Sequence, residues 1–281
     1  MRIAIISDIH GNLEALKTCL ADIQKREIDK IFCLGDIVEK GCHAEECVKL
    51  VRENCAVVVQ GNCDVDFDTS IYKKTLHNIS VELMHARVNW LNSLLSKESK
   101  EYLLNLPFCY EFYMSGSLIR MFHAHPEKKT GVIINEDTYE TKYRMFEPSE
   151  NTVSKEVADI VIYGHLHAPF MNKMYNKTLI NVGSVGNSFN VVRDDEKDSD
   201  VLETTAIHYL ILDGEYGAKE YGGSFSFEFV RVPYDIDKEL EDLEQNIEPE
   251  DYRKELKEGR YRNMSKIQEK AEELKKKGEK A

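Results

Sequence analysis

Four short polar segments of this 281-residue chain each lie where a run of hydrophobic residues ends, and this arrangement constrains the fold more than any other feature. The segments are Asp8-Ile9-His10, Gly35-Asp36, Gly61-Asn62 and Gly164-His165-Leu166-His167. The runs before them, at 3–6, 31–34, 57–59 and 160–163, are typical of buried strands. Because the carboxyl ends of parallel strands meet at one edge of a sheet, we expect the four segments to form one site.

A histidine follows a fifth apolar run. His123 comes directly after residues 118–122, and we favour it as a member of the same site, with His125 as a supporting or substrate contact. A lone Asp or His at a strand end is more often a helix cap or a polar residue with ordinary hydrogen-bond partners than a metal ligand. To explain this chain, that interpretation would have to hold independently at every one of these positions. The remaining histidines are predicted to be ordinary surface or core residues: His43, His77, His85 and His208.

The residue types at these strand ends are those of a metal site. In Asp8-Ile9-His10, strand alternation would point both charged side chains to the same side. Glycine before Asp36, Asn62 and His165 permits a sharp turn and a close approach of the backbone. Carboxylate, amide oxygen and imidazole together favour divalent metals such as Mn, Fe, Zn or Co over an all-oxygen Ca site.

The motifs resemble the signature of the calcineurin-like metallophosphoesterases, which reads D-x-H, G-D, G-N-H-[DE], H and G-H-x-H in this order. The resemblance runs from Met1 to about Asp235. Two further segments resemble the family's bacterial branch of diadenosine tetraphosphatases and small phosphodiesterases. They are Asn181-Val182-Gly183-Ser184-Val185-Gly186 and the residues 229–235.

The resemblance implies a site with two divalent transition-metal ions, Mn or Fe for preference and Zn, Co or Ni as alternatives. One ion would be held by Asp8, His10 and His167. The other would be held by Asn62, His123 and His165, and Asp36 would bridge the two. A hydroxide between the ions would attack phosphorus in line. The residues implied to act directly in catalysis are Asp36, Asn62 and His165.

One position departs from the family pattern. The family has G-N-H-D, whose histidine can protonate the leaving oxygen, whereas this chain has Gly61-Asn62-Cys63-Asp64. A thiol with an ordinary pKa near ~8.5 is a poor acid at neutral pH, so we expect substrates with good leaving groups to react best. Asp64 is expected to orient a histidine placed at position 63. Together with Cys63, the predicted substrate-binding residues are His125, Gly183 and Ser184.

The predicted fold is α/β: two mixed β-sheets packed face to face with helices on both outer sides, the αββα sandwich that the resemblance implies. Residues 1–235 would form the phosphoesterase domain, with a helical cap insertion at about 66–106. Residues 236–281 would form a charged helical extension that docks on the domain, or less favourably an oligomerisation arm. Asn12 is predicted to cap a helix, 108–113 and 118–122 to form a hairpin, and 193–200 to be a charged loop.

Composition limits the environment and the partners. The formal net charge of −13 argues against a nucleic-acid polymer as substrate, although it allows a small phosphate ester or nucleotide. No apolar run has the length of a membrane span, and no signal-peptide pattern follows Met1. The seven cysteines are scattered and contain no C-x-x-C pair, which indicates a reducing cytoplasm. A homo-oligomer is compatible with these features.

The sequence therefore predicts a dimetal phosphoesterase that acts on phosphodiester or nucleoside polyphosphate bonds. Three alternatives stay open. The first is a hydrolase specific for diadenosine tetraphosphate, and the second is a Ser/Thr-type protein phosphatase. The third is a non-catalytic metal-binding scaffold, as in the retromer subunit that resembles these enzymes.

Overall fold

Two five-stranded mixed sheets packed face to face form the centre of the molecule, as a computed structural model of the chain shows. The structure describes residues 1–68, 81–188, 190–194, 199–203, 206–245 and 251–258. The first sheet contains β1 (Arg2–Ile6), β2 (Lys30–Cys33), β3 (Cys55–Val58), β11 (Ile207–Gly214) and β12 (Phe225–Val232), in the order β12-β11-β1-β2-β3. Strands β1, β2 and β3 run parallel, and β11 and β12 are antiparallel to their neighbours.

The second sheet contains β4 (Cys109–Met114), β5 (Ser117–Phe122), β6 (Ile160–Tyr163), β7 (Phe170–Met174) and β8 (Lys177–Asn181), in the order β4-β5-β6-β8-β7. Its three central strands are parallel, and β4 and β7 are antiparallel edge strands. The predicted hairpin is therefore confirmed as β4 and β5. Each sheet thus has three adjacent parallel strands, and β1, β2, β3, β5 and β6 lead into the predicted polar segments.

Strands β1, β5 and β6 are buried on both faces. Ile3 and Ile5 of β1 pack between the two sheets, while Ala4 and Ile6 face the outer helices, because successive side chains of a strand alternate. Strands covered on both faces read as continuous apolar runs, which is why each of them was recognisable. The polar segments begin where these strands end, and most of their side chains are buried as well.

Helices cover the outer faces and complete the predicted αββα sandwich. They are α1 (Leu13–Gln24), α2 (Ala44–Asn54), α3 (Val81–Leu94), α4 (Lys97–Leu104), α5 (Tyr139–Tyr143), α6 (Ile236–Gln245) and α7 (Asp251–Glu258). The Asn12 side chain accepts a hydrogen bond from the Ala15 backbone N–H at 2.9 Å and caps α1, as predicted. No helix in the described part of the chain is long and apolar enough to cross a membrane.

The segment predicted as a cap contains α3 and α4. Leu91 of α3 and Leu103 of α4 are buried in the same cluster as Val48 of α2, so these helices extend the outer layer of the first sheet. Residues 69–80 of the predicted cap lie outside the described residues. The cap function stays a prediction.

Residues 193–194 and 199–200 of the charged segment lie in strands, so the prediction of a loop was wrong there, and residues 195–198 lie outside the described residues. Strands β9 (Asn190–Asp194) and β10 (Ser199–Glu203) pair antiparallel, with Asp194 opposite Ser199. These strands were not predicted, because the segment is highly charged and a two-stranded ribbon can form without a continuous apolar run.

The C-terminal extension docks on the domain through its apolar side chains. Leu243 of α6 and Tyr252 and Leu256 of α7 are buried in one cluster with Cys42, which precedes α2. Residues 246–250 and 259–281 of the extension lie outside the described residues.

Candidate metal centre

The polar segments turn sharply at the strand ends. Five residues of these segments adopt positive φ angles although none is glycine: Asp8 (55°), His10 (54°), Asp36 (50°), His165 (67°) and His167 (63°). Such left-handed conformations are unfavourable for residues with a Cβ atom and persist where surrounding structure holds them. Strand β1 ends at Ile6, so the strand alternation expected for Asp8 and His10 was wrong. Their side chains converge because of the turn.

Glycines allow these turns to approach each other, as predicted. A Cβ atom on Gly61 would lie 2.1 Å from Asp36 Oδ1, and one on Gly164 would lie 2.0 Å from Ser7 Oγ. A Cβ atom on Gly35 would lie 2.2 Å from the backbone nitrogen of Gly61. No side chain fits at these three positions without displacing its neighbours.

The first cluster of ligand atoms consists of Asp8, His10 and His167. Asp8 Oδ1 lies 3.2 Å from His167 Nε2 and 3.8 Å from His10 Nε2, and the two Nε2 atoms are 3.0 Å apart. All three side chains are at most 2 % exposed. The three atoms are close enough for one cation to contact them together.

The second cluster consists of Asp36, Asn62, His123 and His165. His123 Nε2 lies 3.2 Å from Asp36 Oδ2 and 3.2 Å from His165 Nδ1. The Asn62 side-chain oxygen faces the same two histidine nitrogens, at 3.0 Å from His165 and 3.2 Å from His123. With the amide group turned over, its nitrogen would donate to both histidines and to the Lys129 carbonyl oxygen. With a cation bound, the orientation that points the oxygen inward would supply a ligand.

Asp36 connects the two clusters. Its Oδ2 atom lies 3.2 Å from His123 Nε2 and 3.9 Å from His10 Nε2, one nitrogen from each cluster. Its Oδ1 atom accepts a hydrogen bond from the Cys63 backbone N–H at 2.8 Å. The carboxylate is therefore oriented with one oxygen directed between the clusters.

Hydrogen bonds behind the clusters fix the tautomers of two histidines. His123 Nδ1 lies 2.8 Å from the Leu34 carbonyl oxygen, and His167 Nδ1 lies 2.8 Å from the Asn187 carbonyl oxygen. A carbonyl can only accept, so each Nδ1 carries a proton, and in the neutral ring this leaves the lone pair on Nε2, which faces the cluster.

Buried polar atoms provide a further test of whether a metal fits. Asp8 Oδ2 accepts hydrogen bonds from the Ser7 hydroxyl at 2.6 Å and from the His165 backbone N–H at 2.9 Å. Asp8 Oδ1 and His10 Nδ1, by contrast, have no hydrogen-bond partner among the described residues. An unsatisfied buried oxygen in a cluster of imidazoles is what a missing cation would leave. The donor set therefore fits a metal.

The charge states of these groups also suit a cation. Burial lowers the pKa of His165 to about 4 and also holds the pKa of His10 low, so both rings are neutral at pH 7. Burial alone would raise the pKa of Asp36, but the charge and the hydrogen bond of His123 outweigh it and hold that pKa well below its usual range. The same carboxylate raises the pKa of His123 to about 9, against the effect of burial. The excess negative charge is thus partly balanced by a proton, which a bound cation would replace.

Asp64 supports the site in a way that the sequence did not reveal. Its carboxylate accepts hydrogen bonds from the backbone N–H groups of Asp36 at 3.0 Å, Ile37 at 2.7 Å and Gly61 at 2.8 Å. Burial and the nearby Asp36 carboxylate raise the pKa of Asp64 to about 6. Both oxygens accept hydrogen bonds from the backbone, and the expectation that Asp64 would orient a histidine placed at position 63 stays a prediction. The sequence motif includes Asp64 but does not indicate which groups its side chain contacts.

The Cys63 thiol lies beside the ligand atoms, whereas His125 shares no cluster with them in the described part of the chain. The Cys63 thiol is buried, lies in one group with ligand atoms of His10 and Asp36, and is 3.7 Å from a Glu39 carboxylate oxygen. Burial raises the pKa of this thiol, and the Asp36 carboxylate raises it further. His125 is half-buried and lines a surface cavity of about 700 Å³ with Tyr143 and Arg144.

The turn at Gly183 and Ser184 lies behind Asp8. The Ser184 hydroxyl is fully buried and donates to the Asp8 carbonyl oxygen at 2.7 Å. Gly183 has a φ of 81°, and a Cβ atom there would lie 2.7 Å from the His208 side chain. The roles of both residues as substrate contacts stay predictions, and the contacts that the structure records are structural.

The remaining histidines lie apart from the two clusters where the structure describes them. His43 Nε2 lies 3.0 Å from an Asp242 oxygen of α6, and His208 Nδ1 is hydrogen-bonded to the Ser188 hydroxyl. His85 is exposed, and His77 lies outside the described residues.

Known proteins share this sequence pattern and fold. Residues 1–205 match the family profile described as a calcineurin-like phosphoesterase superfamily domain. The chain is 32 % identical over 260 residues to the uncharacterized protein MJ0912 of Methanocaldococcus jannaschii, a match that covers 88 % of this chain and 94 % of the relative.

Solved structures share the fold. The metallophosphoesterase from Sphaerobacter thermophilus has a TM-score of 0.66 at 23 % identity, with 92 % of this chain and 99 % of that chain covered. The hypothetical protein PH1004 from Pyrococcus horikoshii OT3 has a TM-score of 0.69 at 20 % identity, with 91 % and 97 % covered. The family match spans every residue of the two clusters, and the chain therefore belongs to the calcineurin-like phosphoesterase superfamily.

Proposed function

We propose that this protein is a phosphoesterase that depends on two divalent transition-metal ions and hydrolyses phosphodiester or nucleoside polyphosphate bonds. The observation that carries the proposal is the position of Asp36 Oδ2, 3.2 Å from a nitrogen of one cluster and 3.9 Å from a nitrogen of the other. Bridging carboxylates in this position hold two cations close together, as two-metal hydrolases require.

Two sets of side chains would each hold one of the two cations. When bound, two cations would offset charge on the phosphoryl oxygens and lower the pKa of a water molecule, the nucleophile of the proposed reaction. Asp8, His10 and His167 would hold one cation, and Asn62, His123 and His165 the other. The mixed nitrogen and oxygen donor set supports Mn or Fe, with Zn, Co and Ni as alternatives.

The leaving group is where this chain differs from the family pattern. Cys63 stands where an imidazole would donate a proton, and its buried thiol has a raised pKa that makes it a weaker acid still. Substrates whose leaving group is stable as an anion therefore suit this centre best. Phosphoanhydrides, including diadenosine tetraphosphate, and aryl phosphodiesters have such leaving groups.

The substrate proposed is small. A net charge of −13 repels an extended polyanion, whereas two cations beside Asp8 and Asp36 would give a locally positive centre that a single phosphate can reach. A cytoplasmic location, the absence of a membrane partner and a homo-oligomeric state stay predictions.

A substrate panel on metal-reconstituted protein tests the proposal. The panel contains bis-p-nitrophenyl phosphate, p-nitrophenyl phosphate, diadenosine tetraphosphate, ATP and a phosphopeptide. We expect hydrolysis of the diester or the phosphoanhydrides, its loss in Asp36→Asn, and full activity in Asp237→Asn, a control at an exposed position of α6.

Each alternative has its own outcome in this panel. Preference for the phosphopeptide would indicate a protein phosphatase, and turnover of diadenosine tetraphosphate alone would indicate the specific hydrolase. A protein that binds two ions and turns over none of the five compounds would contradict catalysis and favour the scaffold. A covalent phosphoenzyme on Cys63 or Ser184 would contradict attack by water.

A further inference from the structure

The turn at 184–187 lies directly behind the first cluster. The Ser184 hydroxyl and the Gly186 backbone N–H both donate to the Asp8 carbonyl oxygen, at 2.7 and 3.0 Å. The Asn187 carbonyl oxygen lies 2.8 Å from His167 Nδ1. The turn thus touches two ligands of the first cluster, one through its backbone and one through its imidazole ring.

Helix α7 of the C-terminal extension holds this turn from the opposite side. The Tyr252 hydroxyl donates to the Gly186 carbonyl oxygen at 2.8 Å, and Glu255 Oε2 accepts from Asn187 Nδ2 at 2.8 Å. Tyr252 is 2 % exposed and Glu255 is 5 % exposed. Hydrogen bonds in such a dry environment are strong, and their loss leaves buried polar groups without partners.

Glu255 also contacts the loop that packs on His10. Its Oε2 atom lies 3.7 Å from Lys40 Nζ, and both side chains are buried. The next residue of that loop, Gly41, donates its backbone N–H to the His10 carbonyl oxygen at 2.7 Å. One carboxylate of α7 therefore contacts both segments that position the first cluster.

The second cluster has a different support. His123 is fixed by the Leu34 carbonyl oxygen, and the turn carrying Asp36 is fixed by Asp64. These contacts come from residues 34 and 64, within the sheet and its loops.

We infer that Tyr252 and Glu255 are positioning residues for the first metal site, so that the C-terminal extension forms part of the metal centre. They act through Asn187, Gly186 and Lys40. The inference rests on the proposed two-metal function. Outer partners of metal ligands typically change metal affinity by about 10- to 100-fold, which sets the scale expected here.

Calorimetric titration of chelator-treated protein with Mn²⁺ tests the inference. Glu255→Ala removes the carboxylate, Glu255→Gln keeps an acceptor for Asn187 but loses the charge facing Lys40, and Tyr252→Phe removes only one hydroxyl. We expect wild type to bind two ions, and Glu255→Ala to bind one of them about 10- to 100-fold more weakly. The other ion should stay within about threefold, with smaller losses in Glu255→Gln and Tyr252→Phe. Arg253→Gln, exposed on the same helix, is the matched control and should bind like wild type.

A second readout separates positioning from general stability. The visible absorption of the Co²⁺-loaded protein reports ligand geometry, and we expect it to change in Tyr252→Phe at a temperature where the fold is intact by circular dichroism. If Glu255→Ala bound two ions tightly, the inference would be overturned. It would also be overturned if the affinities for both ions fell equally, in step with the melting temperature. Either result would leave the proposed function standing. A wild-type protein that binds fewer than two ions would overturn the proposed dimetal centre and the inference with it.

Discussion

Glu239 is a carboxyl group buried in the contact between helices α6 and α1, and it makes the stability of the protein depend on pH. Its side chain is 0 % exposed. Burial raises the pKa of Glu239 to about 8. The Glu14 backbone N–H opposes this shift, the carboxylates of Asp242 and Glu14 add to it, and Lys17 offsets part of it.

The sign and size of the effect follow from the two pKa values. The folded protein keeps Glu239 protonated up to about pH 8, whereas the unfolded chain loses this proton near its ordinary pKa of 4.5. Because the folded pKa is the higher one, the stabilising contribution is complete below pH 4.5 and is lost as the pH rises towards 8. Each pH unit in this window lowers the free energy of unfolding by about 1.4 kcal/mol, and the slope falls off near pH 8. Between pH 6 and pH 8 the loss is therefore about 2 kcal/mol.

Denaturant unfolding of Glu239→Gln and wild type at pH 6, 7 and 8 measures this loss. A chelator keeps both proteins metal-free, and the other titrating groups cancel in the difference between them. We expect Glu239→Gln to gain about 2 kcal/mol over wild type between pH 6 and pH 8. Glu241→Gln, on the exposed side of the same helix, should differ from wild type by less than about 0.5 kcal/mol throughout. A difference between Glu239→Gln and wild type that does not change with pH would refute the reasoning.

Three further predictions concern the site itself. Gly164→Ala places a Cβ atom 2.0 Å from Ser7 Oγ and 2.5 Å from Asp8 Oδ2. We expect the metal affinity measured by titration to fall at least tenfold, as it does when a group that supports a metal ligand is displaced. An unchanged affinity would contradict this prediction. Cys63→His should accelerate hydrolysis of alkyl phosphate esters by about 10²–10⁴-fold and of nitrophenyl esters far less, and equal leaving-group slopes in the two proteins would show that another residue supplies the proton. Asp64→Asn loses one charge-assisted hydrogen bond to the backbone and should lower the free energy of unfolding by about 2–3 kcal/mol. Denaturant unfolding measures this loss, and a loss below about 0.5 kcal/mol would contradict the prediction.

The ligand clusters were predictable because their signals are local. Residues 3–6, 31–34 and 160–163 are continuous apolar runs, as strands covered on both faces require, and the polar residues follow them without a gap. The chain order of the strands then brings the segments to one edge. The helix cap at Asn12 is local in the same sense, since its partner is three residues away.

The features that were missed depend on distant contacts. Asp64 holds the turn after β2 through backbone groups 27 and 28 residues earlier, and a motif carries no information about such directions. Helical spacing predicted that the charged extension would dock, but its target could not be derived. Tyr252 reaches a turn 66 residues away, and Glu255 reaches Lys40 across most of the chain.

The left-handed backbone of the ligand residues has a consequence for how this protein can be changed. Each non-glycine residue held at positive φ carries a conformational penalty of about 1–2 kcal/mol, and glycine would relieve it at Asp8, His10, Asp36, His165 or His167. Selection of variants for heat resistance alone would therefore tend to enrich glycine at the very positions that hold the ions. An engineering campaign on this scaffold would need to screen turnover at every round, because thermal tolerance and activity compete at the same five residues.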